Sequence, residues 1–231
     1  MLRPDKIIVR ESEEYPQRCN FLNDVPSALY MRGDLSALTV RPLIAIVGKR
    51  NCTDYGAKSA QELASFLSAN GFNIVSGLAR GIDTQAHKGA LAAGGQTIAV
   101  LYDIERIKPA SNVKLATEIV EKNGLLIAEQ PPGSLYAPHL LIRRNRIIAA
   151  LSFALFLIET DGKGGSMHTL RYARECGLPV FCIHPDELGK YSKPAYASGI
   201  ANIVKEPGTW VYRTTEKDQL LDQLSQFGTK T

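Results

Sequence analysis

The segment Arg143-Arg144-Asn145-Arg146 is where the chain's residue types most directly offer chemistry. Three guanidiniums and an amide stand just before the apolar run Ile147-Ile148-Ala149-Ala150-Leu151. No acidic residue occurs between Glu129 and Glu159 to neutralise them. Each arginine presents a rigid fork of donors that fits phosphate oxygens, so the cluster suits a polyanion. Cations at a helix start also oppose the macrodipole, which is unfavourable unless something negative docks there. The competing reading is a solvated, basic helix start.

Three polar turns offer related chemistry. In Gly48-Lys49-Arg50-Asn51-Cys52-Thr53 the glycine admits close backbone approach, Arg50 can grip a phosphate and Thr53 can cap the next helix. The spacing matches neither the dinucleotide fingerprint nor the P-loop, and an ordinary strand-to-helix connection explains it equally. In Ser76-Gly77-Leu78-Ala79-Arg80-Gly81-Ile82-Asp83, the amides around Ser76 and Gly77 can form an anion nest, with Arg80 as a further phosphate contact. Asp83 and His87, four residues apart, share a helix face; they read as an acid–base pair or as a cap beside a hydrogen-bonded histidine. In the third turn, Lys163, Gly164, Gly165 and Ser166 precede a helix N-terminus, an arrangement that suits phosphate or a plain surface loop.

These turns need a scaffold that gathers them. Apolar runs at Leu43–Val47, Phe72–Val75, Thr97–Leu101, Leu125–Ala128, Ala154–Ile158 and Pro179–Ile183 read as strands buried on both faces. Helical spacing fills most of the intervals: Gly56–Asn70, Asp83–Ala93 with Asp83 as its cap, Asn112–Asn123, Ile147–Ser152 and Thr169–Glu175. A last helix is expected at Lys217–Phe227. The alternation predicts an α/β fold: a doubly wound, largely parallel, extended Rossmann-like sheet with helices on both faces. Residues 1–40, punctuated by Pro16, Pro26 and Gly33, read as an irregular extension packed on a core domain formed by residues 41–231. In such a sheet, ligands bind at the C-terminal strand edges, where all three turns fall.

Composition narrows the classes. The 231 residues are 45% hydrophobic and 22% charged, ordinary for a globular chain. The formal charge of +4 permits nucleic-acid binding without requiring it, so the location of the charge must decide. Cys19, Cys52, Cys176 and Cys182 contain no C-x-x-C, and with four histidines they support no metal site. The start Met-Leu-Arg-Pro-Asp has no signal-peptide pattern and no apolar run reaches membrane-spanning length, so a cytoplasmic protein without membrane association is expected.

Taken together, these motifs resemble the bacterial DNA-processing protein A family, also called Smf. Gly48 and Arg50 match its G-[ST]-R turn. Ser76, Gly77, Ala79, Gly81, Ile82, Asp83, Ala86 and His87 match its S-G-x-A-x-G-I-D-x-x-A-H segment. Arg144, Asn145, Arg146, Ile147, Ile148, Ala149, Leu151 and Ser152 match its R-N-R-I-I-A-x-L-S segment, while Leu141-Ile142 replaces the preceding Phe-Pro. Further matches at Glu129–Gly133 and Asn202–Val204 extend the likeness over nearly the whole chain, without the family's frequent N-terminal helical and C-terminal winged-helix modules. The resemblance implies a homodimeric, non-enzymatic protein without cofactor that binds single-stranded DNA and helps load the recombinase RecA during natural transformation. It assigns the phosphate contacts to Gly48, Arg50, Ser76, Gly77, Arg80, Arg143, Arg144, Asn145, Arg146, Lys163, Gly164, Gly165 and Ser166. The alternative is a nucleotide-binding enzyme or sensor, such as a nucleoside-monophosphate N-glycosidase-like hydrolase, with Asp83 or Glu159 as acid or base.

Overall fold

A computed structural model describes residues 2–227. Nine strands form one sheet in the order β1-β2-β6-β5-β4-β3-β7-β8-β9. They are β1 (Lys6–Val9), β2 (Ala28–Gly33), β3 (Leu43–Val47), β4 (Asn73–Ser76), β5 (Thr97–Leu101), β6 (Leu125–Ala128), β7 (Ala154–Leu157), β8 (Val180–Ile183) and β9 (Thr209–Tyr212). The strands from β3 to β8 are buried at every position, as parallel strands covered on both faces must be. Strand order reverses beside β3, which pairs in parallel with β4 on one side and β7 on the other.

The helices are α1 (Asp54–Ala69), α2 (Ile82–Ala92), α3 (Val113–Glu121), α4 (Pro138–Arg143), α5 (Asn145–Leu151), α6 (Gly165–Glu175), α7 (Pro185–Tyr191), α8 (Pro194–Ile203) and α9 (Lys217–Ser225). Right-handed crossovers put α1, α2 and α3 over one face and α5 and α6 over the other. Thr53 caps α1, its hydroxyl accepting from the Gly56 amide at 3.0 Å. No described helix is long and apolar enough to cross a membrane.

The expectation of an irregular segment over residues 1–40 is corrected. β2 extends the sheet antiparallel to β6, with Tyr30 opposite Ala128 and Met31 opposite Ile127, and β1 pairs antiparallel with β2 at the edge. The alternation of β2 places Leu29 and Met31 fully in the core, and the Tyr15 hydroxyl closes the intervening loop on the Pro26 carbonyl at 2.8 Å. Strands of four and six residues, separated by a loop holding Pro16 and Pro26, carry too little period-two pattern to be read alone; pairing of β2 with β6, and of β1 with β2, decides them.

A candidate phosphate-binding cleft at the strand-order reversal

β3 and β7 stay paired to their C-terminal ends, Val47 opposite Leu157, and a cleft of about 480 Å³ opens between the turns that leave them at the strand-order reversal. Its floor and walls come from four places: the β3–α1 turn (Gly48 to Asn51), the α2 start (Ala79, Asp83), the α4–α5 corner and the β7–α6 loop. The cleft therefore gathers Gly48, Arg50, Arg144, Asn145, Lys163, Gly164, Gly165 and Ser166 from the sequence-derived set. Ser76, Gly77, Arg80, Arg143 and Arg146 are not in its lining.

Each exclusion has a local cause. The Ser76 hydroxyl is buried and donates to the Ile46 carbonyl at 2.7 Å. The nest around Gly77 exists, but the chain supplies its own anion: Asp83 accepts from the amides of Gly77 (3.1 Å) and Ala79 (3.4 Å). Asp83 thus ties down the turn before α2 and does not cap that helix, whose N-cap is Gly81. Buried Leu78 sits in the same turn at φ +57°, and Asn112 fixes it by donating to the Leu78 carbonyl at 2.9 Å. Arg80 points to solvent.

The arginine cluster divides three ways. Arg146 is buried, and its guanidinium grips Glu129 while also donating to the Asp24 carbonyl at 2.9 Å. Arg143 reaches the carboxylates of Asp24 (3.0 Å) and Glu129 (3.1 Å). The expectation of an un-neutralised cluster is therefore corrected, because the carboxylates arrive from β6 and the N-terminal segment. Arg144 alone turns to the cleft, donating to the Val100 carbonyl and to Leu141 O at 3.3 Å. An added Cβ on Gly77 would fall on the Arg144 guanidinium, which explains the glycine.

Burial pushes the Arg144 pKa down to about 10 and raises that of Asp83, while each charge draws the other back toward its ionised form. Arg144 stays cationic at neutral pH. His87 is buried beside this pair, and burial with the Arg144 charge lowers its pKa to about 3. Its Nδ1 lies 2.8 Å from the Thr97 hydroxyl, and no hydrogen bond joins it to Asp83. The acid–base pairing of Asp83 with His87 has no support in this geometry.

Glu159 does not line the cleft. It is fully buried under α1, accepting from the Thr53 amide (2.9 Å), the Thr53 hydroxyl (2.6 Å) and the Ser192 hydroxyl. A Cβ at Gly56 would collide with this carboxylate, so Glu159 is the anion that the α1 N-terminus favours.

What remains open is cationic. Among the described residues, Arg50 and Lys163 are exposed and have no carboxylate partner within ion-pair distance. Lys49 bridges the two turns through Asp161 at 2.9 Å, and that contact lowers the Asp161 pKa. Gly164, at φ +93°, lets the chain enter α6 without a side-chain cap, leaving early α6 amides at the cleft. Asn145 steadies this start by donating to Gly165 O at 3.1 Å.

The opposite wall is apolar: Tyr136, Leu141, Ile142 and Ile148. Sequence reasoning missed Tyr136, which lies in a connection without periodic pattern. Its ring is half exposed and meets buried Tyr102 edge to face at 5.5 Å. That geometry leaves at least one Tyr136 face clear of Tyr102.

A doubly wound sheet with a cationic cleft at its strand-order reversal defines a Rossmann-like protein. Residues 6–224 match the family model described as DNA recombination-mediator protein A, and the chain belongs to that family. It is 36% identical over 223 residues to the Smf protein of Escherichia coli, covering 96% of this chain and 57% of that protein. The DNA processing protein A structure from Streptococcus pneumoniae superposes with a TM-score of 0.82 at 32% identity, over 94% of this chain and 74% of that one. The Helicobacter pylori protein, whose structure concerns its single-stranded DNA binding mode, gives 0.81 at 26% identity over 96% and 99%. The chain spans 57%, 64% and 46% of the length of three curated relatives it matches.

Proposed function

We propose that this chain binds single-stranded DNA in the cleft as a recombination mediator, without chemistry of its own. The observation that carries this reading is the pair Arg50 and Lys163, unpartnered and exposed beside the uncapped N-terminus of α6. Cations and helix amides together attract phosphate, and neither reads a base, so the strand would be held without regard to sequence. Arg144 adds a buried positive charge at the floor. The apolar wall with Tyr136 gives unstacked bases a place to lie, which a duplex cannot use because its bases face inward. Family membership and the likeness to the Helicobacter pylori structure support the same ligand.

By the same reasoning the protein would deliver the strand to a RecA-type recombinase, and would do so as a homodimer in the cytoplasm. Arg143 and Arg146 enter this reading as supports of the fold, through their pairs with Asp24 and Glu129.

The test is anisotropy of labelled oligo-dT, a mixed-sequence single strand and the matching duplex, each titrated with salt. Both single strands should bind alike and above the duplex. The variant Arg50→Ala with Lys163→Ala should weaken both equally, with a shallower salt slope and unchanged melting. Unaltered affinity and slope in that folded variant would overturn the assignment.

A further inference from the structure

The mouth of the cleft continues onto a second surface, the corner between α7 and α8. The Tyr196 hydroxyl donates to the carbonyl of Asn51, a cleft residue, at 2.7 Å. The ammonium groups of Lys49 and Lys193 both lie over the Tyr196 ring, at 5.6 and 5.4 Å from its centre. Lys193 therefore stands beside the cleft mouth. At the end of α7, Tyr191 is 53% exposed and stacks on Tyr55 with centroids 5.3 Å apart and planes 25° from parallel. Tyr55 braces the Tyr191 ring by this stacking, and the Lys190 ammonium also lies over the ring, 5.0 Å from its centre.

The charge here is also unanswered. Among the described residues, Lys190 and Lys193 have no carboxylate within ion-pair distance. The carboxylate nearest the aromatic pair, Glu187, is occupied by the hydroxyls of Tyr55 and Thr214. An exposed tyrosine stacked on a second ring, with a lysine ammonium at its side, has the chemistry of a stacking platform with a phosphate contact beside it. A base stacking there would displace the ammonium from the ring and leave it free for the neighbouring phosphate.

We infer that the α7–α8 corner is a second single-strand contact, in which a base stacks on Tyr191 while Lys190 and Lys193 hold phosphates of a strand leaving the cleft. This rests on the cleft reading above and extends its footprint.

A length series of oligo-dT from about 4 to about 16 nucleotides tests it on the full chain. Wild-type affinity should rise in a second step once the strand outgrows the cleft. Lys190→Ala with Lys193→Ala should remove that step, leave the shortest oligonucleotides unaffected, and lower the long-strand salt slope by about 1.4. Tyr191→Ala should weaken long strands about tenfold, whereas Tyr191→Phe, which keeps the ring and its packing on Tyr55, should not. A flat length series, or corner variants that track wild type at every length, overturns the corner and leaves the cleft standing. If even short strands bind without regard to Arg50 and Lys163, the cleft reading falls and the corner inference falls with it.

Discussion

Arg146 and Glu129 are joined by two parallel hydrogen bonds, Nη1 to Oε2 at 2.9 Å and Nη2 to Oε1 at 2.7 Å. Their side chains are 4% and 12% exposed, so the pair is withdrawn from solvent and ties α5 to the end of β6. An arginine that suits DNA by its chemistry is here part of the frame that positions another arginine, Arg144, two residues earlier.

Truncating Arg146 should therefore be read in stability before binding. Arg146→Ala leaves the largely buried Glu129 carboxylate with only the half-exposed Arg143 as its cation and should lower the unfolding free energy by about 2 kcal/mol in urea melts. Arg146→Ala with Glu129→Gln should recover part of that loss. A variant as stable as wild type would show that the pair does not hold the corner.

Arg50 and Lys163 should behave oppositely. Their double alanine variant should keep its melting temperature, while the slope of log affinity against log salt for oligo-dT falls by about 1.4, two phosphate contacts at about 0.7 each. A lost melting temperature, or an intact slope, would separate these residues from phosphate binding.

Tyr136 should contribute through its ring. Replacement by alanine should weaken single-strand binding about tenfold without changing the salt slope, and phenylalanine should restore it. A changed slope with either residue would point to backbone displacement in place of lost stacking.

Gly77→Ala places a methyl on the Arg144 guanidinium, which is held by the Val100 carbonyl. The clash should destabilise the protein by about 1–3 kcal/mol and weaken DNA binding, because the guanidinium leaves the cleft floor. Thermal melts and anisotropy on the same preparation check both effects.

The stability–pH profile should carry the mark of His87. Its folded pKa is about 3 against 6.5 for a free histidine, so between these values the unfolded chain holds more protons than the folded one. Stability from this group is complete above pH 6.5 and is lost as pH falls toward 3, at up to about 1.4 kcal/mol per pH unit. Buried Asp83, with its raised pKa, acts in the opposite sense, so the difference between wild type and His87→Gln isolates the histidine. Parallel urea profiles for the two proteins between pH 4 and 6.5 would contradict this assignment.

The parallel core was legible in the sequence because strands such as Leu43–Val47 and Leu125–Ala128 are apolar at every position and punctuated by glycine or a cap. The turns after β3 and β7 were legible because glycine, lysine and hydroxyl residues directly after a buried strand mark the open edge of the sheet. The roles of the arginines were not. Arg143, Arg144 and Arg146 look equivalent along the chain, and their partners Asp24, Glu129 and the Val100 carbonyl are from 14 positions (Arg143 to Glu129) to 122 positions (Arg146 to Asp24) away. The apparent nest at Gly77 likewise hid the fact that Asp83, four to six residues on, fills it. Local sequence determined which residues could hold an anion. The tertiary fold decided which of them still could, because charge neutralisation depends on distance in space, and only the packed sheet brings distant carboxylates within reach of a guanidinium.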